Sequence, residues 1–268
     1  MIEHMGVKYS LPKVTLLQHS GIGVAEVAAR TCYDSFGGSE NSAISSLSSG
    51  IDIDEINAIE NSELLKDLAW TYFHHSILEH ASLSYLVRGT SRGVLQEHAR
   101  HRLQAISVRS TRYTMSSLIN AYVASRGDVS FFAKKIKDLD MLITLDDEYN
   151  TIEIEMIFNK LKWQHSKLEN FYEVAVAKSS LELLSIESSE ELYEALEAGK
   201  KKRNVGDAFK HIVSDNFKVD MVVTFNIRSL KNYFTLRDSG SAYFLIRHLA
   251  RAMKEATPQK YLDLIIKG

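Results

Sequence analysis

The chain has 268 residues, 45% hydrophobic and 25% charged, a globular composition that excludes a disordered polymer. Its 32 Lys and Arg against 34 Asp and Glu leave a net charge of −2, which excludes a generic polyelectrolyte binder and requires any anion site to be a local concentration of arginine. A single cysteine, Cys32, excludes an intramolecular disulfide and any multi-cysteine zinc or iron–sulfur centre.

The opening stretch MIEHMGVKYSLPKVTLL has no apolar run long enough for a signal peptide, and nothing later approaches ~18 apolar residues. A soluble, cytoplasmic protein with no membrane partner is therefore expected. Residues 22–33 carry apolar side chains at helical spacing. The Ser/Gly-rich stretch 35–50 lacks apolar content and reads as a surface loop, reaching to about residue 60. Helix is predicted over 62–75, with Ser62 as N-cap and Leu65, Leu68, Ala69, Tyr72 and Phe73 on one face. In 81–89, Leu83, Tyr85 and Val87 alternate with Ser82, Ser84 and Arg88, the pattern of a half-buried strand.

A helix begun by Thr90 or Ser91 is predicted over 90–103, followed by a loop or extended run without helical period. The region near 120–200 reads as a charged helical insert, with Ser188 and Glu191 forming a capping box. KVDMVVTFN, residues 218–226, is a second strand with Met221, Val223 and Phe225 on one face. Residues 228–237 and 242–256 are helical, the last stopped before Pro258. Helices with a few strands, not regularly alternating, give an α+β fold, read as one helix-rich domain over 1–268.

Three segments carry polar residues that a fold does not need: His74, His75, Ser76, Glu79 and His80; Glu97, Arg100, His101, Arg102, Arg109, Ser110, Arg112 and Tyr113; and Asn226, Arg228, Asn232 and Arg237. Ser110 and Arg112 offer hydroxyl, backbone N–H and guanidinium donors at a spacing that suits a phosphate. A solvated basic helix end fits the same residues. His75 and His80 lie five apart, the wrong step for a shared helical face, and no cysteine or dense carboxylate set joins them, so no metal is expected. Arg228 and Asn232 share a helical face, whereas Arg237 lies about 140° round from Asn232, which fits a second ligand.

Taken together, RHRLQAISVRS (Arg100 to Ser110), RTCYDS (30–35), HxSxxEH (His74 to His80) and NxRSLxNxxxLR (Asn226 to Arg237) resemble the signature blocks of the flavin-dependent thymidylate synthases. The resemblance covers roughly 20–115 and 205–255 and implies a small, mostly antiparallel sheet within that α+β fold. It implies reductive methylation of dUMP to thymidylate, with methylenetetrahydrofolate as carbon donor, FAD as hydride carrier, NADPH as reductant and a homotetrameric assembly. Position by position, it implies FAD contacts at Ser76, Arg100, His101, Arg102, Asn226, Arg228 and Asn232. It implies dUMP contacts at Glu97, Arg100, Val108, Arg109, Ser110, Thr111, Arg112, Lys210 and Arg237. Arg237 is the implied catalytic residue, polarising the uracil, and His74 is implied to lie near flavin and folate.

The chain departs from the family pattern at Val108, Lys210, Ser214 and Leu245, and Lys210 brings a point charge where many members bring a guanidinium fork. No thiol is required on this route, so Cys32 is expected to be a small buried residue. Two other classes fit the arginines: a non-catalytic nucleotide- or RNA-binding protein, and a simple NADPH flavin reductase. The first needs interleaved aromatics for base stacking, and residues 100–113 supply only Tyr113.

Overall fold

The computed structural model describes residues 1–47, 50, 53–166, 207 and 209–267. The Ser188–Glu191 capping box and most of the second half of the expected insert lie outside the described residues.

The chain opens with two short strands, β1 (Ile2–His4) and β2 (Val7–Tyr9), paired antiparallel. Met5 and Gly6 between them have φ of 50° and 82°, the pair of positive angles that a tight two-residue hairpin turn needs. Next come β3 (Lys13–His19) and α1 (Gly23–Thr31). The expected loop 35–50 is instead partly ordered, with a 3-10 turn at Phe36–Gly38 and a short α2 (Ser42–Ser45) that buries Ile44 completely. The reason is polar and local. Glu26 of α1, 1% exposed, accepts from Arg30 Nε at 2.8 Å, Ser39 Oγ at 2.6 Å and Asn41 Nδ2 at 2.8 Å. Serine and asparagine that read as loop composition are the donors that fasten the segment to α1.

After α3 (Ile53–Asn57), helix α4 (Glu63–Trp70) begins where expected, with Ser62 Oγ accepting from Leu65 N at 3.3 Å. It ends early. Phe73 takes φ of 55°, and Tyr72 and Phe73, assigned to its apolar face, are exposed. A 3-10 helix, His75–Glu79, leads into β4 (Ser82–Ser91). The residues expected to start the next helix, Thr90 and Ser91, complete this strand, and α5 (Arg92–His98) is correspondingly shorter than predicted.

The following stretch is extended as β5 (Gln104–Val108), but Ser110 then caps α6 (Thr111–Ser125), a helix the sequence reading missed. Helices α7 (Val129–Asp138) and α8 (Asp147–Ser166) confirm the helical character of the insert as far as it is described. A 3-10 helix at Lys210–Ile212 precedes β6 (Lys218–Asn226), the strand predicted over those residues. Helix α9 (Ile227–Arg237) and α10 (Phe244–Glu255) agree with expectation, while α11 (Gln259–Ile265), after Pro258, was not foreseen.

These elements fall into two compact units. One comprises Met1–Ser10, Ser91–Gly93 and Arg109–Val219. Its core joins α6, α7 and α8 through Met115, Leu118, Tyr122, Phe132, Ile157, Phe158 and Leu161. The other comprises Leu11–Thr90, Val94–Val108 and Asp220–Gly268 and contains the sheet, in order β3-β4-β6-β5. β3 pairs antiparallel with β4, and β5 with β6 in the register Gln104↔Phe225 to Val108↔Met221. Leu83, Tyr85 and Val87 of β4 are fully buried, as the alternation predicted, and so are Val223 and Phe225 of β6. Helix α11 ties this unit together at its edges: Tyr261 OH bonds His19 Nδ1 at 2.8 Å, and Trp70 Nε1 donates to the Asp263 carbonyl at 2.7 Å. Among the described residues, no helix is long and apolar enough to cross a membrane.

Burial pushes the Glu26 carboxyl up, but hydrogen bonds from Ser39 and Arg30 outweigh it and hold the group below its usual range. Its stabilisation is therefore present above the ordinary value of 4.5 and is lost as pH falls through the lower folded value. Glu26→Ala leaves Arg30 buried without its partner and is expected to cost roughly 3–5 kcal/mol in urea unfolding at neutral pH. A loss below about 1 kcal/mol would show that the network does not hold the loop.

Candidate functional site

The second unit contains a cleft of about 800 Å³ whose walls come from three elements. The 3-10 helix gives His75 and Glu79, the turn after α5 gives Arg100, His101, Arg102 and Leu103, and α9 gives Arg228, Lys231, Asn232, Thr235 and Arg237. Positions 228, 231, 232 and 235 repeat at helical spacing, so one face of α9 lines the cleft. Leu236 adds apolar wall, and the fully buried Phe225 of β6 lies behind it. A neighbouring cavity of about 400 Å³ is lined by Cys32, Tyr33, Phe73, His74 and Ser76, and shares His75 and Arg228 with the cleft.

Local structure sets each side chain. Asn226 is the N-cap of α9, its Oδ1 accepting from Ser229 N at 2.8 Å, which starts the helix so that Arg228 falls in its first turn. Arg228 pairs with Glu79, both about half-exposed. Arg100 and Arg102 follow the end of α5, are exposed, and have no ion pair among the described residues. Lys231 lies 3.5 Å from the centroid of the Trp70 ring and donates to the Ala69 carbonyl at 3.4 Å. Burial lowers its pKa.

Arg237 closes α9 and is the most constrained of the set. Its Nη1 donates to Glu97 Oε2 at 2.7 Å, its Nη2 to the Glu97 carbonyl at 3.2 Å, and its Nε to His101 Nε2 at 2.8 Å. Three of the five guanidinium N–H groups are used, and two remain for a ligand. Behind it stands Tyr233, fully buried, with ring centroids 4.8 Å from His101 and 5.1 Å from His98. Burial pushes the Tyr233 phenol well up. His98 Nδ1 meets the Tyr233 hydroxyl at 3.0 Å, and burial lowers the His98 pKa to about 4. His101 is lowered too, first by burial and then by the Arg237 cation.

The structure brings Arg100, His101, Arg102, Arg228, Asn232 and Arg237 to one cleft. Arg237, about 140° round α9 from Asn232, lines the same cleft and reaches across it to Glu97 and His101. Glu97 joins them through Arg237, and Ser76 and His74 lie in the neighbouring cavity. Val108 ends β5, exposed. Arg109, Ser110, Thr111, Arg112 and Lys210 belong to the other unit. There Ser110 Oγ accepts from Arg112 N at 3.3 Å, so the run read as non-helical is a helix start. Thr111 is buried, Arg112 holds Asp207 with Nε at 2.9 Å, and Arg109 and Lys210 are exposed.

Cys32 is exposed, contrary to the buried role expected of it, because it follows the last turn of α1 on the side of the smaller cavity. Lys231, Thr235 and Leu236 were not singled out, although the spacing from Arg228 to Thr235 carries that signal. The supporting pair His98 and Tyr233 left no motif to read. Among the described residues, no three His, Cys, Asp or Glu side chains converge as a metal site needs.

This α+β unit lines a cleft with arginines, two of which have no counter-ion among the described residues, an arrangement that suits an anionic ligand. A model of the thymidylate synthase complementing protein family matches residues 15–261, and the chain belongs to that family. It is 28% identical over 248 residues to the flavin-dependent thymidylate synthase of Wolinella succinogenes, covering 92% of this chain and 94% of that one. It is 28% identical over 249 residues to the enzyme of that name from Campylobacter jejuni, covering 93% of each. The fold is shared with thymidylate synthase X from Helicobacter pylori, solved with FAD and dUMP, at a TM-score of 0.61 and 23% identity over 96% of this chain and 98% of that one.

His98 offers a test of the ring stack behind the cleft. With a folded pKa near 4 against 6.5 unfolded, it stays neutral when the unfolded chain takes up a proton, so its contribution is full above pH 6.5 and is lost as pH falls toward 4. The loss attributable to this group is of order 3 kcal/mol. Urea unfolding across this range is expected to give a shallower pH slope in His98→Phe than in the parent chain, and equal slopes would show that His98 is not held neutral.

Proposed function

We propose that the protein catalyses the reductive methylation of dUMP to thymidylate, with methylenetetrahydrofolate giving the carbon and NADPH reducing a bound FAD. The observation that carries this reading is Arg237, preset at the cleft wall with two N–H groups to spare. Family membership, the name of the relatives and the FAD and dUMP of the Helicobacter pylori structure support it. The matched span takes in residues of both units, which supports reading the whole chain as one catalytic domain. A homotetramer in the cytoplasm, without nucleic-acid or membrane partners, completes the proposal.

The residues present fit FAD. The cofactor joins a planar aromatic system to a doubly charged pyrophosphate, and the cleft offers Arg100 and Arg102, without counter-ions among the described residues, beside the apolar Leu103 and Leu236. Arg100, Arg102 and Arg228 would hold the pyrophosphate, with Asn226, Asn232, His101 and Ser76 as further contacts and His74 close to flavin and folate. When bound, FAD supplies the hydride chemistry that no side chain here can provide.

The chain's own residues do the rest. Arg237 directs donors at the uracil carbonyls and stabilises negative charge as it develops on the ring, which raises the nucleophilicity of the ring carbon that takes the methylene. Glu97 fixes that guanidinium and contributes to the dUMP site through it. Ser110 caps α6, and Ser110, Val108, Arg109, Thr111, Arg112, Arg100 and Lys210 are the remaining dUMP contacts that the family resemblance implies. The flavin-reductase and RNA-binding alternatives gain no observation of their own.

Two variants test the reading. Arg228→Ala is expected to fold but to purify largely colourless, with flavin absorbance well below one equivalent per chain; full flavin content would remove Arg228 from the FAD site. Arg237→Ala and Arg237→Lys are expected to keep FAD and its reduction by NADPH, while thymidylate formation at saturating dUMP falls about 10²–10³-fold. Lysine does not rescue, because a flexible point charge cannot reproduce the planar fork. Near-normal turnover at saturation would make Arg237 a binding or structural residue only.

A further inference from the structure

We propose that His101 is a positioning residue for Arg237, and that by accepting the Arg237 Nε–H through an unprotonated Nε2 it makes dUMP affinity depend on its own protonation state. The inference rests on the reading of Arg237 as a dUMP contact. It goes beyond that reading in giving His101 a role toward the substrate arginine, where family resemblance implies only a flavin contact.

The geometry is one-directional. An arginine Nε carries only a donor, so at 2.8 Å the facing His101 Nε2 must present its lone pair, and the imidazole proton sits on Nδ1. A protonated imidazole has no lone pair to offer and places two cations in contact. Around His101 stand Glu97 and His98 on α5, Arg100 and Arg102 beside it in the chain, and Tyr233 and Arg237 on α9. Glu97 is the one carboxylate of this set, and it is already committed to Arg237 Nη1. Protonation of His101 therefore sets a cation against Arg237 and displaces the guanidinium from its fixed orientation. Burial and the Arg237 cation lower the imidazole from the usual histidine range, so the arrangement is intact at neutral pH and is released as pH falls through that lowered value. His98, near 4, remains neutral through that interval and does not account for the release.

The test measures dUMP binding by calorimetry on FAD-loaded protein between about pH 8 and about pH 5.5, for the parent chain, His101→Gln, His101→Phe and Arg237→Ala. Affinities are referred to the flavin-loaded fraction of each preparation, so altered FAD content is not mistaken for altered dUMP binding. Glutamine keeps an acceptor but does not titrate; phenylalanine keeps the ring but accepts nothing. The dUMP phosphate titrates in the same interval, but it is common to all variants and cancels between them.

Over this interval the dissociation constant of the parent chain is expected to rise more than that of His101→Gln, by no more than about tenfold, since one competing proton costs at most about tenfold per pH unit. His101→Phe is expected to bind dUMP weakly at every pH while melting within a few degrees of the parent. Parallel pH curves for the parent and His101→Gln, or parental affinity of His101→Phe at the alkaline end, would overturn the role of His101. If Arg237→Ala binds dUMP as the parent does, the reading of Arg237 fails and this inference with it; if only Arg237→Ala is weakened, the reading stands and the inference alone fails.

Discussion

The cleft depends on how a single guanidinium is held. Arg237 lies 140 residues from Glu97 in sequence, yet takes both the carboxylate and the backbone carbonyl of that residue. With side-chain exposures of 19% and 38%, the pair is partly solvated, and such pairs contribute little to stability. What it contributes is orientation: a planar fork with three fixed partners has lost most of its rotamer freedom before any ligand arrives. The cost of ordering the side chain is met in folding, not in binding.

The remaining charges follow a different logic. The chain is nearly neutral overall, and several of its cations are matched locally: Arg228 by Glu79, Arg112 by Asp207, Lys254 and Arg251 by Asp238. Arg100 and Arg102 are not matched among the described residues. Exposed pairs such as Arg228–Glu79 are weak and screened by salt, so an incoming dianion with better geometry can displace the carboxylate at small cost. The cleft therefore combines one rigid arginine, Arg237, with Arg228, whose exposed pair is easily exchanged, and with Arg100 and Arg102, unmatched among the described residues.

Much of this was legible in sequence where local period and burial agree. Residues 218–226 alternate cleanly because one face of β6 meets the core, and α9 and α10 carry apolar stripes for the same reason. Helix α6 escaped notice because it is buried on most sides, from Thr111 and Thr114 through Met115, Ile119 and Tyr122 to Ser125, so polar and apolar residues share its inner faces and no stripe survives. The Ser/Gly-rich segment after α1 was misread since its order comes from hydrogen bonds to one buried carboxylate, Glu26, and not from apolar content. At the site, the arginines were visible as a concentration of charge that a nearly neutral chain does not otherwise need. Their partners were not visible, because contacts such as Arg237 with Glu97 and His98 with Tyr233 join positions about 140 residues apart in sequence and leave no local period.

Tyr233 shows how the fold turns that long-range closure into precision. It sits on the α9 face opposite the solvent, fully buried, with Phe225 of β6 at a ring-centroid distance of 5.3 Å and the two α5-side histidines on its other edges. The two histidine contacts are edge-to-face and the Phe225 contact is tilted, and together they fix ring planes as well as distances. The His101 ring plane, in turn, decides where its Nε2 lone pair points, and hence where the Arg237 Nε–H is directed. An aromatic core residue with no polar contact to the cleft thus sets the direction of the guanidinium that faces it. The hydroxyl of Tyr233 engages His98, so the ring cannot slide along its own plane without giving up a buried hydrogen bond. Sheet, buried ring, imidazole and guanidinium form one chain of contacts, in which each member leaves the next a single favourable orientation.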